Sequence, residues 1–353
     1  FLVLSKKKID INFDLKIYLN NFFNNLDYVS DLEIAKAGFI NIFIKKKFIL
    51  LKLKNLPHDT DKRNIKLDNK ENVNIEFVSA NPTGPIHIAH MRGAVLGDVM
   101  ASILINVGHK VTREFYVNDA GSQIDVLARS LYFRYCEILG ENIGEMSIDF
   151  YPGDYLKRIA EELIKRDEDK WLYKDESFWL KEFKEFATRK IMKGIRADLN
   201  TLGINQEVFT SESSLVQNGA VDEVLKKLEK ENLVYKGILE PPKGRKPDDW
   251  EPRPQTLFKA TQFGDDIDRP LKKSDGTWTY FANDIAYHYD KYKRGFNVMI
   301  NIFGADHGGY VKRMVAATAA ISSGKAELDI QLCQMVHLRK GGRSLRMSKR
   351  SGN

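Results

Sequence analysis

The stretch SANPTGPIHIAHMRG, residues 79–93, places His87 and His90 three apart at the opening of an apolar helical pattern. An i, i+3 pair presents both imidazoles on one helix face, and the first N–H groups and the dipole of a helix attract phosphate. Gly84 and Pro85 let the backbone pass close to a flat ligand. Read structurally, the same stretch is punctuation, because Asn81, Pro82 and Pro85 are turn and helix-start residues. A second cluster, GGRSLRMSKRSGN, closes the chain at 341–353. Gly341, Gly342, Ser344, Ser348 and Ser351 read as a loop, and Arg343, Arg346, Lys349 and Arg350 load it with positive charge. Such a loop can close over a triphosphate and stabilise charge that develops during transfer. Alone, it equally reads as a solvated basic tail.

Chemistry of this kind needs a scaffold that brings both clusters to one place. Residues 73–80 (VNIEFVSA) read as a strand and NPTGP as a turn, followed by a helix over 88–107 with Gly108 at its C-cap. A strand at 110–117 (KVTREFYV) completes a βαβ unit, which requires a parallel sheet. Mostly helical patterns follow at 122–139, 154–169 and 177–201, and a Pro-rich stretch at 241–255 reads as an exposed insertion. Sheet grammar resumes with a strand at 277–282, a helix at 283–293, a strand at 296–306, a helix at 309–321 and a strand at 328–338. Residues 73–140 and about 256–340 therefore form two halves of one doubly wound sheet, with ligands expected beyond the C-terminal ends of its strands. Before it, a helix at 12–25, a strand at 31–44 and a polar linker at 56–72 make a small α+β domain.

Composition sets outer limits. The chain has 353 residues, 43% hydrophobic and 29% charged, with a net charge of +7 that favours an anionic partner. Cys136 and Cys333 are far apart and form no CxxC pair, so neither a disulfide framework nor a zinc site is expected. No apolar run is expected to reach the roughly 18–20 residues of a membrane span. The opening FLVLSKKK puts charge after a short apolar run, the wrong order for a signal peptide, and lacks an initiator Met; the chain reads as a fragment. Trp171, Trp179 and the Lys/Glu runs of 157–190 read as a solvated helical face with a buried aromatic side.

HIAH resembles the HIGH signature of class I aminoacyl-tRNA synthetases, and RMSKR resembles their KMSKS loop. EFVSANPTGPIHIAHMRGAVLGD, VNDAGSQI, FGDD, SDGTWTYFANDIAYHYDKY and GADHGGY together resemble the bacterial arginyl-tRNA synthetases over nearly the whole chain. GFINIFI (38–44) is similar to that family's additional N-terminal domain, which contacts the tRNA elbow. The resemblance implies a Rossmann-like class I catalytic domain over 71–353 with a helical insertion at about 141–255, a tRNA-contacting domain over 1–70, and an anticodon-binding domain beyond residue 353. It implies ATP, with Mg2+, as the energy source for making arginyl-adenylate from L-arginine and charging arginine tRNA. A monomeric cytoplasmic enzyme without a membrane partner is expected. Because the arginyl enzymes need bound tRNA to activate arginine, a fragment should have low activity; the alternative is a catalytically impaired tRNA-binding piece of the same fold.

Carried over by motif, His87 and His90 belong to the ATP and adenylate site with Gly304, Asp306, Met347, Ser348 and Lys349, the last steadying the pyrophosphate. Ser79, Asn81 and His90 would hold the amino-acid end, Tyr280 and Asp284 the guanidinium, and His307 another arginine contact. A carboxylate beside an aromatic ring independently suits a planar guanidinium. Structurally, Asp284 also reads as an N-terminal helix charge, and Tyr280 as a strand core residue. Glu212 in SESS is a further acidic candidate that equally suits a helix start. The glycine of HIGH is Ala89, the first lysine of KMSKS is Arg346 and its last serine is Arg350.

Overall fold

The computed structural model describes residues 15–34, 39–55, 67–239, 253–273, 275–334, 336, 338–341 and 343–345. The chain divides into two compact units, 1–66 and 67–353. In the first, helix α1 (Leu15–Asn24) precedes strands β1 (Val29–Ile34) and β2 (Ile40–Ile44), and helix α2 (Lys46–Asn55) follows. The single strand expected over 31–44 is instead this antiparallel pair, in register from Asp31↔Phe43 to Ile34↔Ile40. Apolar–polar alternation is identical on both arms of a hairpin, so the pattern could not reveal the reversal. Helix α2 was not foreseen.

The second unit is built on a five-stranded parallel sheet of order β10-β9-β3-β4-β5. Strand β3 (Asn72–Glu76) is its centre, followed by helix α3 (Ile88–Asn106) and β4 (Lys110–Val117). Helices α4 (Ser122–Ile138), α5 (Tyr155–Asp167) and α6 (Glu176–Thr201) lead to β5 (Val208–Ser211) at the sheet's edge. This strand lies inside the range expected for a helical insertion; four residues, VFTS, are too short to show a period. Helices α7 (Glu212–Gln217) and α8 (Ala220–Lys230) precede a small antiparallel sheet of β6 (Val234–Gly237), β7 (Gln255–Phe258) and β8 (Arg269–Pro270). Helix α9 (Tyr280–Lys293), strand β9 (Val298–Gly304), helix α10 (Val311–Ile321) and β10 (Glu327–Cys333) then fill the other half of the main sheet. A final hairpin pairs β11 (Leu338–Lys340) with β12 (Arg343–Leu345).

The strand expected over 277–282 is a helix start. The Thr279 hydroxyl accepts the Ala282 N–H at 3.3 Å and donates to the Pro270 carbonyl at 3.1 Å, so Tyr280 opens α9. Helix α3 corrects the expectation about membrane length, being 19 residues and apolar enough by length and composition to cross a bilayer. Its small face, Ala94, Gly97 and Ala101, is nevertheless buried. A Cβ at Gly97 would lie 2.3 Å from the Phe77 ring, so glycine there is what lets the helix approach the sheet.

Two apolar cores flank the sheet. One gathers Phe77, Phe115, Leu131, Tyr135 and Phe183, with Trp179 stacked on Tyr132 at 4.0 Å. The other gathers Phe258, Ile285, Met299, Met314 and Leu328. Two ion pairs cross between elements: the fully buried Lys291–Glu76 at 2.7 Å, and Arg294–Glu114 at 2.8 Å, of which only the glutamate is buried.

Candidate active site

The chain runs outward from β3 to β4 and β5, then returns to β9 and β10 on the other side, so its direction reverses between β3 and β9. Loops leaving the two strands there must diverge, which opens a crevice. A cavity of about 480 Å³ occupies that position, bounded by Glu76, Val78 and Ser79 after β3 and by Ile302, Phe303 and Gly304 at the end of β9.

The loop after β3 is held in an unusual path. Val78 and Ser79 have φ of 71° and 36°, a left-handed region costly for residues with a Cβ. Side-chain bonds over-determine it: the Ser79 hydroxyl donates to Glu76 Oε1 at 2.9 Å and accepts the Tyr116 N–H at 3.0 Å. Glu76 Oε2 in turn accepts from the buried Lys291 ammonium at 2.7 Å. Lys291 also donates to Asn301 Oδ1 at 3.2 Å, and the Asn301 amide meets His288 Nε2 at 2.9 Å. His288 Nδ1 lies 2.8 Å from the Asp284 carbonyl, so Nδ1 carries the proton and Nε2 accepts. Burial, with Lys291 nearby, lowers the His288 pKa to about 3, keeping the ring neutral. A continuous buried relay thus ties Ser79 to the first turns of α9.

The side-chain carboxyl of Asp284 faces the same cavity and accepts a short hydrogen bond from the Tyr310 hydroxyl. Burial pushes its pKa up to about 7; Glu76 and Glu212 push the same way, while the Tyr310 bond and Lys291 oppose. Glu212 is only 2% exposed. Its Oε1 accepts from Asn283 Nδ2 at 2.7 Å, while Oε2 has no hydrogen-bond partner among the described residues. Burial raises the Glu212 pKa as well, with Asp119 adding to the shift. Burial raises the phenols of Tyr116 and Tyr310, with Asp284 adding to both and Glu212 to Tyr116. Lys291, a cation behind the cavity, is bonded to Glu76 and Asn301. Two carboxylates facing one cavity suit a cationic ligand, and planar donors match their acceptor oxygens best.

Of the residues singled out in the sequence, Ser79, Asn81, Tyr280, Asp284, Gly304 and His307 line this cavity. Asn81 donates to Gln123 at 3.0 Å, fixing the loop against the start of α4. Tyr280 is 54% exposed in the first turn of α9, not a strand core residue, and its hydroxyl lies near Gly121. Glu212, also singled out, lines the cavity too. His87 and His90 form a unit of their own at the start of α3: the rings lie 3.9 Å apart, and the His87 N–H donates to His90 Nδ1 at 3.1 Å. Neither lines the cavity, nor does Asp306, whose carboxylate is 3.7 Å from His307 Nε2. Ala89 sits half-buried between the two histidines. Met347, Ser348 and Lys349 lie outside the described residues, as do Arg346, Arg350 and most of the Pro-rich stretch at 241–255. Sequence reasoning missed Glu76, Tyr116, His288 and Tyr310. A glutamate at the C-terminal end of a parallel strand, NVNIE, where ligands are expected, was the available signal for Glu76.

A parallel sheet of this order, with a cation-seeking cavity at its reversal point and a histidine-bearing helix start beside it, has the architecture of a class I aminoacyl-tRNA synthetase catalytic domain. The family model described as "tRNA synthetases class I (R), catalytic domain" matches residues 52–353, and the chain belongs to that arginyl family. It is 51% identical over 327 residues to the arginine–tRNA ligase of Ruegeria sp. strain TM1040, covering 92% of this chain and 56% of the relative. With the arginine–tRNA ligase of Rhodospirillum rubrum it shares 51% identity over 336 residues, 93% of this chain and 57% of the relative. A solved structure described as an arginyl-tRNA synthetase of Campylobacter jejuni superposes with a TM-score of 0.69 at 33% identity, over 85% of this chain and 62% of that one. The Thermus thermophilus arginyl-tRNA synthetase, at 18% identity and a TM-score of 0.55 over 87% of this chain and 55% of that one, shares the fold. The chain spans a little over half the length of the curated relatives it matches.

Proposed function

We propose that this chain carries the catalytic centre of an arginine–tRNA ligase. A carboxylate oxygen of L-arginine attacks the α-phosphorus of ATP, the bond to the bridging oxygen breaks, and pyrophosphate leaves. A terminal ribose hydroxyl of arginine tRNA then attacks the carbonyl of the mixed anhydride and releases AMP. The observation that carries the reading is two carboxylates facing one cavity, the half-buried Asp284, raised toward neutrality, and the buried Glu212, whose Oε2 has no hydrogen-bond partner among the described residues.

On this reading the guanidinium lies against Asp284 and Glu212 with the Tyr280 ring at the entrance, and His307 adds a contact. Ser79 and Asn81 hold the α-amino and carboxylate end with His90. Since His90 Nδ1 accepts the His87 N–H, the neutral ring protonates Nε2 and can donate to an oxyanion. His87, His90, Gly304 and Asp306 serve the nucleotide, Met347 and Ser348 belong to the loop over it, and Lys349 steadies the departing pyrophosphate. Mg2+ would accompany the nucleotide phosphates. Among the described residues no cluster of three carboxylate, histidine or cysteine donors offers it a cage, so the nucleotide phosphates would supply its ligands. The enzyme works as a cytoplasmic monomer.

The test is ATP–pyrophosphate exchange across a panel of amino acids with tRNA present. Exchange with arginine above all others supports the reading; exchange led by another amino acid overturns it. This chain alone should charge arginine tRNA far more slowly than a chain of the relatives' full length, and equal rates would contradict that expectation.

A further inference from the structure

Tyr310, which lines the arginine cavity, closes the turn Ala305–Tyr310, and Arg313 lies three residues on in the first turn of α10. Positions i and i+3 share a helix face, and the Arg313 guanidinium sits 4.8 Å from the centroid of the Tyr310 ring. Phe281, from α9, meets the same ring nearly at right angles, with centroids 6.3 Å apart. The ring is thus gripped from two elements while its hydroxyl donates to Asp284.

The carboxylates of the FGDD motif (263–266) are engaged elsewhere. Asp265 has a fully buried side chain, and both its oxygens accept from Arg269, at 2.6 and 2.7 Å. One of them also accepts the Asp266 N–H at 2.7 Å. Asp266 is exposed and paired with Lys312 at 2.8 Å. Arg313 therefore stands within the field of a carboxylate that is already bonded, and its buried Nε has no hydrogen-bond partner among the described residues. Burial and the like charge of Arg269 press the Arg313 pKa down, with Tyr310 and Asp265 opposing, yet a guanidinium stays cationic at neutral pH. A cation held against a ring in this way is placed to act on that ring.

A cation over an aromatic face attracts the ring's electrons and draws them away from the hydroxyl, which makes the O–H a stronger donor. We propose that Arg313 is a positioning residue for arginine recognition: it clamps the Tyr310 ring and strengthens the hold of its hydroxyl on the ionised Asp284 carboxylate. This deepens the ligase reading and rests on it for the identity of the ligand. Burial and Asp284 push the Tyr310 phenol up, while Arg313 and then Arg269, from β8, pull it down. On the Asp284 carboxyl itself, Glu76 at the end of β3 and Glu212 at the start of α7 disfavour charge, and Lys291 on α9 favours it. The neutral Tyr116 phenol on β4 feels the same carboxyl.

The test titrates the Asp284 carboxyl in the unliganded protein by carbon NMR, its signal assigned by its loss in Asp284→Asn. Arg313→Met keeps the stem and removes the charge, and should move the midpoint up by about half a unit, the size a cation–ring contact can supply. Arg313→Lys should bring most of that shift back. In the Tyr310→Phe background Arg313→Met should move nothing further, because the hydroxyl through which it acts is gone. Lys312→Met removes the neighbouring cation, paired with Asp266, and should leave the midpoint in place. A midpoint unmoved by Arg313→Met would overturn the assignment. So would an equal shift in the Tyr310→Phe background, or from Lys312→Met, since either would mean a general field and not a contact through the ring. Arginine affinity, read by calorimetry against pH, should follow the same midpoints, and profiles that ignored them would overturn the link to recognition. A wild type that binds no arginine would fail the ligase reading alone, because the carboxyl titration needs no ligand.

Discussion

The carboxylate end of the cavity and the histidine pair are both expected to grip substrate, yet they are assembled in opposite ways. Asp284 and Glu212 are set by residues far apart in sequence: Asn283 holds Glu212 and Tyr310 holds Asp284, while the relay from Ser79 through Glu76, Lys291, Asn301 and His288 anchors the Asp284 backbone. His87 and His90 sit together at the start of one helix, joined by a bond across three residues. The first arrangement is preorganised by burial and should be intolerant of change. The second is local, half-buried and should vary with little effect on the fold.

The largest effect that separates the two ends is expected for Lys291→Met. It leaves the buried Glu76 carboxylate unpaired, which costs about 3–5 kcal/mol when one partner of a buried pair is lost. Denaturant unfolding should show this loss, whereas His87→Ala and His90→Ala should each change stability by about 1 kcal/mol or less, the range of a local helix-start contact. Equal losses at both ends would erase the distinction. Next in size, Glu212→Gln removes one charged acceptor while keeping the Asn283 contact geometry. Arginine binding, read by calorimetry, should weaken by about 1.5–3 kcal/mol, the worth of a hydrogen bond to a charged group. His90→Ala should instead slow exchange while leaving arginine affinity nearly intact.

The same contrast explains what could be read from the letters. HIAH was visible because its geometry is carried by three consecutive helix positions, and the parallel sheet was visible because βαβ grammar repeats on a scale of tens of residues. Tyr280 and Asp284 were found as residue types, but the strand assigned to 277–282 was wrong because Thr279 caps a helix there. Trp278 keeps only an isolated bridge to Lys272. The relay behind them could not be read: Glu76 and Lys291 are 215 positions apart, and nothing local marks a lysine on an amphipathic helix as buried. Residue His288 carried no ligand pattern in sequence, since its partners are a backbone carbonyl of its own helix and an asparagine of β9.

Smaller, and specific to the carboxylate end, is a dependence on pH. Without arginine, Asp284 is expected to be half protonated near pH 7, because burial disfavours its charge. A guanidinium binds the ionised form, so arginine affinity should rise about tenfold per pH unit up to about 7 and level off above it. For the unliganded fold the sign is reversed. Between the ordinary carboxyl range and about 7 the native state keeps a proton that the unfolded chain has released, so Asp284 stabilises below that window and its contribution is lost as pH rises through it. In Asp284→Asn both trends should vanish; a tenfold-per-unit rise that persisted would place the titrating group elsewhere.

The smallest effect tests one bond within that end. The Tyr310 hydroxyl donates to the Asp284 carboxylate and favours its ionised form. In Tyr310→Phe the donor is gone and burial acts with less opposition, so the midpoint of the affinity profile should move above 7, by up to about one unit. At high pH, where the carboxylate is ionised in both proteins, arginine affinities should converge to within about 1.5 kcal/mol, the ordinary worth of one hydrogen bond. His90→Ala, measured alongside, should leave the midpoint where it is, because no part of the relay or of the Asp284 contacts runs through the start of α3. A midpoint that moved with His90 but not with Tyr310 would mean that the two ends titrate as one site.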